Sequence, residues 1–128
     1  MTCPLYSLSH WLLLQDAMAW PFFFPQDHIT CWIALDDATI ANGCMTVIPK
    51  SFKWGPVDTQ LREQFLTIPE LDEPVPVELR AGCCMFHHAL NFHSTGPNTT
   101  PDRRRGLALH YMRATTKCAL HMTFSSHD

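Results

Sequence analysis

The stretch FHSTGPNTTPDRRRGLALHYM, residues 92–112, decides the fold and places the candidate site. It begins with an apolar residue and His93, passes through a loop of turn-forming residues to three arginines, and ends in an alternating pattern typical of a strand. His93 can hold a metal ion, and Arg104, eleven residues further on, can hold a carboxylate. We therefore interpret the rest of the chain as the scaffold around these two residues.

The composition of the 128-residue chain is that of one modest globular domain, residues 1–128. Ten prolines and eight phenylalanines favour short strands joined by turns over a helical bundle. A net charge of −3 excludes a general basic field that would attract nucleic acid. No apolar run is long enough to cross a membrane, and the cysteines form no CxxC pair. We expect reduced thiols in an intracellular, cytoplasmic protein.

Short strands joined by turns account for most of the chain, which predicts an all-β fold. A jelly roll fits the number of strands best. The candidate strands share apolar, β-branched or aromatic residues and are bounded by turn signals. They cover residues 28–35, 44–48, 77–79, 83–87, 106–113 and 118–124.

Four local expectations follow from the turn and proline residues. Residues 28–35 and 44–48 are expected to form a hairpin across the turn at Gly43. Asp16 is expected at the end of a strand, before an aromatic loop whose prolines prevent a regular helix. Residues 59–65 are expected to form a short helix, and residues 94–103 a loop.

Two long blocks carry a recognisable pattern. The first is ITCWIALDDATIANGCMTVIP with the KSFKWG that follows it, and the second is ELRAGCCMFHHALNFHSTGPNTTPDRRRGLALHYM. In this order they resemble the phytanoyl-CoA dioxygenase family, most strongly over residues 15–113, whereas residues 1–13 match nothing in it. The resemblance implies an Fe(II)- and 2-oxoglutarate-dependent dioxygenase on a double-stranded β-helix. Its substrate would be a small organic or acyl molecule.

The resemblance also implies the metal ligands. Asp16 and His93 correspond to two members of the family's facial triad of two histidines and one carboxylate, which leaves three positions open. Leu14 stands where the family has its first histidine, and a leucine cannot bind iron. Only a neighbouring residue can supply the missing ligand. His10, about 20 Å away if the strand is extended, and His28 are the two candidates considered.

The co-substrate site is implied in the same way. Arg104 corresponds to the arginine that holds the far carboxylate of 2-oxoglutarate, since a planar guanidinium meets a carboxylate through two hydrogen bonds. Thr95 corresponds to a hydroxyl residue that donates to the same carboxylate. Trp32 corresponds to a tryptophan that lines the pocket, although plain core packing explains it as well. Gln15 lies within the motif that carries the first ligands.

Other polar motifs have simpler interpretations. The cysteine pair at 83–84 and the histidine pair at 87–88 suggest zinc, but adjacent residues of a strand face opposite ways, so each pair offers one ligand. The acidic pair at 36–37 is expected to end a strand and make a structural hydrogen bond. Of the three arginines, Arg104 is expected to face inward and its two neighbours outward.

Three functions therefore remain open. The first is the dioxygenase that the resemblance implies. The second is a truncated, catalytically inactive relative that acts as a binding module, which Leu14 and the shortness of the chain favour. The third, a generic β-sandwich interaction module, explains neither Arg104 nor His93.

Overall fold

The computed structural model describes residues 14–57 and 72–119, so the helix expected at 59–65 lies outside the described residues. Within these ranges the chain forms short strands and two 3-10 helices, Asp16–Ala19 and Ser51–Trp54. The strands are β1 (Phe23–Phe24), β2 (Ile29–Ala34), β3 (Met45–Val47), β4 (Val75–Val77), β5 (Cys84–His88), β6 (His93–Thr95), β7 (Gly106–Tyr111) and β8 (Lys117–Cys118).

The longer strands form two antiparallel sheets of three strands each. One has the order β5-β2-β7 and the other the order β4-β3-β6, and a small third sheet pairs β1 with β8. Leu14 extends the second sheet by an antiparallel bridge to His93 at the outer side of β6. No helix among residues 14–57 and 72–119 is long and apolar enough to span a membrane.

The main strand predictions are confirmed. Their ends lie within two residues of the expected ones, because the turns that bound them were legible in the sequence. The strand expected at 77–79 is found slightly earlier, as β4, and Leu79 makes a separate bridge to Ala38. The last expected strand is present as β8, while residues 120–124 lie outside the described ranges.

The expected hairpin between residues 28–35 and 44–48 is wrong. Both strands exist, as β2 and β3, but they belong to different sheets. The connection closes on Asn42, whose side-chain oxygen accepts the Thr39 N–H at 2.7 Å and whose amide donates to the Asp37 carbonyl at 2.8 Å. These bonds form a compact loop that carries the chain across to the other sheet instead of back along β2.

Asp16 does not end a strand but begins the first 3-10 helix, Asp16–Ala19. Gln15 is still extended, with φ −114° and ψ 131°, and the Met18 N–H donates to its carbonyl at 3.0 Å. The sequence of this turn, DAMA, contains no β-branched residue that would favour an extended chain. Likewise, the loop expected at 94–103 begins later, because β6 continues through Thr95.

The main apolar cluster lies beside the second sheet. Ile48, Val57 and Phe92 are buried against one another, and Trp54 packs against them. The Ile48 N–H donates to the Phe92 carbonyl at 2.9 Å, which joins the end of β3 to the start of β6. This cluster therefore fixes the position of His93, the next residue in the chain.

Candidate metal centre

Asp16, His87 and His93 come together where the two larger sheets approach each other. One potential ligand atom from each residue lies within 4.8 Å of the other two. His93 lies on β6, Asp16 follows the bridge that Leu14 makes to that strand, and His87 comes from β5 in the other sheet. The cluster is thus assembled from three separate parts of the sequence.

The Asp16 carboxylate is the centre of this network. Its Oδ2 accepts a hydrogen bond from the Thr30 hydroxyl and lies 2.9 Å from His87 Nε2, and its Oδ1 lies 3.5 Å from His93 Nε2. Burial alone would raise the pKa of Asp16, but the hydrogen bonds from His87 and Thr30, together with the electrostatic effect of the His93 and His87 rings, outweigh it and lower the pKa to about 2. Asp16 is therefore a carboxylate at neutral pH.

The orientation of His93 is set by its own backbone. Its Nδ1 lies 3.1 Å from the Asn91 carbonyl oxygen, which can only accept a hydrogen bond, so Nδ1 carries the proton. Burial is the main reason that the pKa of His93 is lowered, which favours the neutral ring. In that ring Nε2 presents a lone pair towards Asp16.

This arrangement fits a cation. The Nε2 lone pair of His93 and Oδ1 of Asp16 are two acceptors that face each other across 3.5 Å. Two acceptor atoms that face each other with no hydrogen between them repel, and a positive charge placed between them relieves that repulsion. Two imidazoles and one carboxylate are also the donor set that suits non-haem Fe(II).

His28, considered as a replacement ligand, lies outside this cluster. It is buried, its ring packs edge-on against Trp20 with a centroid distance of 5.4 Å, and both ring nitrogens lack a hydrogen-bond partner within the described ranges. Burial lowers its pKa. His10 falls outside the described ranges.

Arg104 carries a donor atom that is buried. Its Nε is buried and has no hydrogen-bond partner within residues 14–57 and 72–119. It lies near the Cys44 thiol, whose pKa is raised mainly by burial while the charge of Arg104 opposes the rise. The neighbouring Arg105 is exposed and pairs instead with Asp36, through two side-chain contacts of 2.8 Å each. The acidic residue at the end of β2 thus makes the expected structural hydrogen bond.

Trp32 lies on β2 and packs against Gly106. Thr30, which bonds Asp16, and Trp32 are two residues apart on β2 and share one face of the sheet. The indole of Trp32 covers Gly106, where a β-carbon would lie 2.3 Å from its Cζ2 atom. Arg104 precedes Gly106 by two residues. Thr95 lies two residues after His93 on β6, which puts it on the same face as His93, and it is exposed.

Gln15 has a structural function in the molecule. Its side-chain amide donates to the carbonyls of Gly55 and Leu90 at 3.0 and 2.7 Å, and its oxygen accepts the Val57 N–H at 3.0 Å. All three bonds tie the residue next to Asp16 to the backbone of the core. Contact between Gln15 and a co-substrate stays a prediction.

His87 is the residue that sequence reasoning missed. The sequence pattern offers it only as one of two adjacent histidines, and the alternation of the strand places His87, not His88, beside Asp16. His88 instead packs against Phe52, at a ring centroid distance of 5.3 Å. The pairing of His87 with Thr30 in the register of β5 and β2 was the missing information, because it brings His87 to Asp16.

A cleft opens beside the cluster. It has a volume of about 370 Å³ and includes His87 in its wall. The rest of the wall is largely apolar and is formed by Val47, Pro49, Phe52, Val75, Met85 and Phe86, together with His88 and Asn91. Of the three clustered side chains, His87 lines this cleft, whereas Asp16 and His93 do not.

Two sequence comparisons identify relatives of this chain. The sequence profile described as phytanoyl-CoA dioxygenase matches residues 12–106. A probable phytanoyl-CoA dioxygenase of Caenorhabditis elegans is 31% identical over 108 residues, which cover 76% of this chain and 34% of that protein. A methylphosphonate hydroxylase of Gimesia maris is 36% identical over 106 residues, which cover 76% and 37%. The chain thus spans about a third of the length of these curated relatives.

A solved structure shows the same fold. The epimerase SnoN, in complex with Fe3+, alpha ketoglutarate and nogalamycin RO, superposes with a TM-score of 0.71 at 36% sequence identity, over 83% of this chain and 43% of that one. This likeness confirms the predicted all-β jelly roll, the double-stranded β-helix. Since the profile also covers well over half of the sequence, the chain belongs to the phytanoyl-CoA dioxygenase family.

Proposed function

We propose that this chain carries the Fe(II)- and 2-oxoglutarate-dependent dioxygenase chemistry of its family, with Asp16 and His93 among the iron ligands. The observation that carries the proposal is the pair of facing acceptors, Asp16 Oδ1 and His93 Nε2, held 3.5 Å apart in a largely buried site. Iron, when bound, supplies the oxidative chemistry for which 2-oxoglutarate is the co-substrate, and succinate is the expected by-product. The protein's part is to hold and orient these partners.

Arg104 is the proposed anchor for 2-oxoglutarate. A buried guanidinium nitrogen without a partner is costly, and a carboxylate is the ligand that satisfies it best. Thr95, the last residue of β6, would donate a second hydrogen bond to that carboxylate. Trp32, whose indole covers Gly106, would form the wall between this anchor and the metal.

The cleft that His87 lines supports the substrate class that the family resemblance implies. Its wall is largely apolar, and its volume of about 370 Å³ suits a small organic molecule or part of an acyl chain. We expect the protein to act on such a molecule inside the cell. The free cysteines on the strands, among them Cys31 and Cys84, are consistent with a reducing compartment.

Succinate formation tests the proposal. The purified chain, supplied with Fe(II), ascorbate and 2-oxoglutarate in air, should convert 2-oxoglutarate to succinate, and should not do so under argon. Arg104→Gln should weaken 2-oxoglutarate binding by about 30-fold or more, because it removes one partner of a buried charge pair. Arg103→Gln is the matched control and should leave turnover unchanged, since Arg103 is exposed.

The inactive binding module remains the second candidate, because Leu14 occupies the position of a ligand. It predicts that 2-oxoglutarate binds through Arg104 but that no succinate forms at any iron concentration. Calorimetric binding of 2-oxoglutarate, measured alongside turnover, separates the two functions.

A further inference from the structure

We propose that His87 supplies the third metal ligand, in place of the histidine that is missing at position 14. The ligand set would then be Asp16, His87 and His93, drawn from both sheets of the jelly roll. This inference deepens the proposed function and rests on a metal being bound at Asp16 and His93. It assigns the vacated ligand position to a residue more than seventy positions away in the sequence.

The register of the first sheet brings His87 into the site. His87 on β5 pairs with Thr30 on β2, and Thr30 donates a hydrogen bond to Asp16. His87 and Thr30 therefore share the sheet face that meets Asp16. His87 Nε2 lies 2.9 Å from Asp16 Oδ2, and its ring lies 4.6 Å from the ring of His93, centroid to centroid.

The burial of His87 favours a ligand over a purely structural side chain. Only 4% of its side chain is exposed, less than the 11% of His93. Its Nδ1 is buried without a hydrogen-bond partner in the described parts of the chain. Holding the ring there therefore costs the protein the desolvation of a polar atom. In the metal-free protein Nε2–H donates to Asp16, and a bound cation would take the place of that proton.

Leu14 marks the place where a histidine ligand is missing, which is why another residue must supply the third ligand. Leu14 and His93 exchange both backbone hydrogen bonds, at 2.8 and 3.0 Å, so their side chains lie on the same face of the second sheet. A histidine at position 14 would therefore lie beside His93. The leucine, 39% exposed, leaves that side of Asp16 without a nitrogen ligand. His87 approaches the same carboxylate from the facing sheet.

Metal affinity of three variants tests the assignment. His87→Gln keeps an amide that can donate to Asp16 but removes the imidazole, and it should weaken anaerobic Fe(II) binding at least tenfold, the least that loss of even an outer partner usually costs. His28→Gln, at a buried histidine outside the cluster, should bind Fe(II) like the wild type. Adding Leu14→His to His87→Gln should restore the Fe(II) affinity to within about threefold of the wild type, because the new histidine would supply a ligand beside His93.

Unchanged Fe(II) affinity in folded His87→Gln, or no metal binding by the wild type, would overturn the inference. A second measurement needs no variant and covers the case in which His87→Gln does not fold. Pulsed electron paramagnetic resonance of the Cu(II)-loaded wild type should detect two coordinated imidazoles, whereas one would overturn the assignment. Metal binding through His87 without succinate formation would leave the inference standing and refute the proposed function. Succinate formation by His87→Gln at wild-type Fe(II) affinity would overturn the inference and leave the proposed function standing.

Discussion

Gly43 and Gly96 touch through their backbones: a β-carbon at position 43 would lie 2.3 Å from the Gly96 carbonyl oxygen. Gly43 also has a φ of +81°, in the left-handed region that favours glycine. One residue belongs to the turn before β3 and the other to the loop after β6. This contact joins the two sequence blocks that carry the family resemblance and places that loop beside the second sheet.

Gly43→Ala should therefore destabilise the protein by at least about 2 kcal/mol, the sum of the left-handed backbone cost and the steric clash. Urea denaturation followed by circular dichroism measures the loss. Gly82→Ala is the matched control, because Gly82 has a φ of +84° but nothing within 4 Å of the added carbon. The clash contribution is absent if the two variants lose equal stability.

Lys50 occupies a backbone conformation that suits glycine. Its φ is +61°, and it precedes the 3-10 helix Ser51–Trp54. Its ion pair with Asp72, at 3.6 Å, is exposed and adds little. Lys50→Gly should raise the free energy of unfolding by about 1 kcal/mol, as the left-handed cost is removed. Lys53→Gly, within the helix, should lower it, and a loss of stability in Lys50→Gly would show that no strain is stored there.

The Asp36–Arg105 pair should give a pH-dependent contribution to stability. Hydrogen bonds from the Arg105 side chain and backbone hold the pKa of Asp36 well below its ordinary value of 3.8. Because the native pKa is depressed, the contribution is fully present above 3.8 and is lost as the pH falls towards the native value. Asp36→Asn should thus lower the melting temperature at pH 7. The difference in melting temperature from the wild type should shrink as the pH falls below 3.8. A difference that is constant with pH would mean that the charge contributes nothing.

Gly106→Ala tests the contact between β7 and Trp32. A β-carbon there would meet the indole at 2.3 Å, so Trp32 must move, at a cost of about 1–3 kcal/mol. The shift should also weaken 2-oxoglutarate binding if Trp32 lines the co-substrate pocket. In a double-mutant cycle Trp32→Phe should relieve the clash and give a coupling of at least about 0.5 kcal/mol. Additive effects would place Trp32 away from Gly106.

The sequence predicted what local patterns encode. Strand positions followed from apolar runs bounded by turn residues, and Arg104 is less exposed than Arg103 and Arg105, although all three precede β7. Strand pairing did not follow, because the pattern of β2 is equally compatible with β3 or β5 as a neighbour. The proximity of His87 to Asp16 depends on that pairing and was missed for the same reason. Gln15 was interpreted through its motif, whereas its hydrogen bonds to Gly55, Leu90 and Val57 depend on the folded core.

The most direct test of the account is an anaerobic titration of the purified, folded chain with Fe(II) in the presence of 2-oxoglutarate, followed by visible absorption. The account predicts a metal-to-ligand charge-transfer band that is lost in His93→Ala, and in Arg104→Ala at limiting 2-oxoglutarate. The same band should be lost in His87→Gln and return when Leu14→His is added. A wild type that is folded by circular dichroism but shows no band at saturating Fe(II) and 2-oxoglutarate would contradict the account.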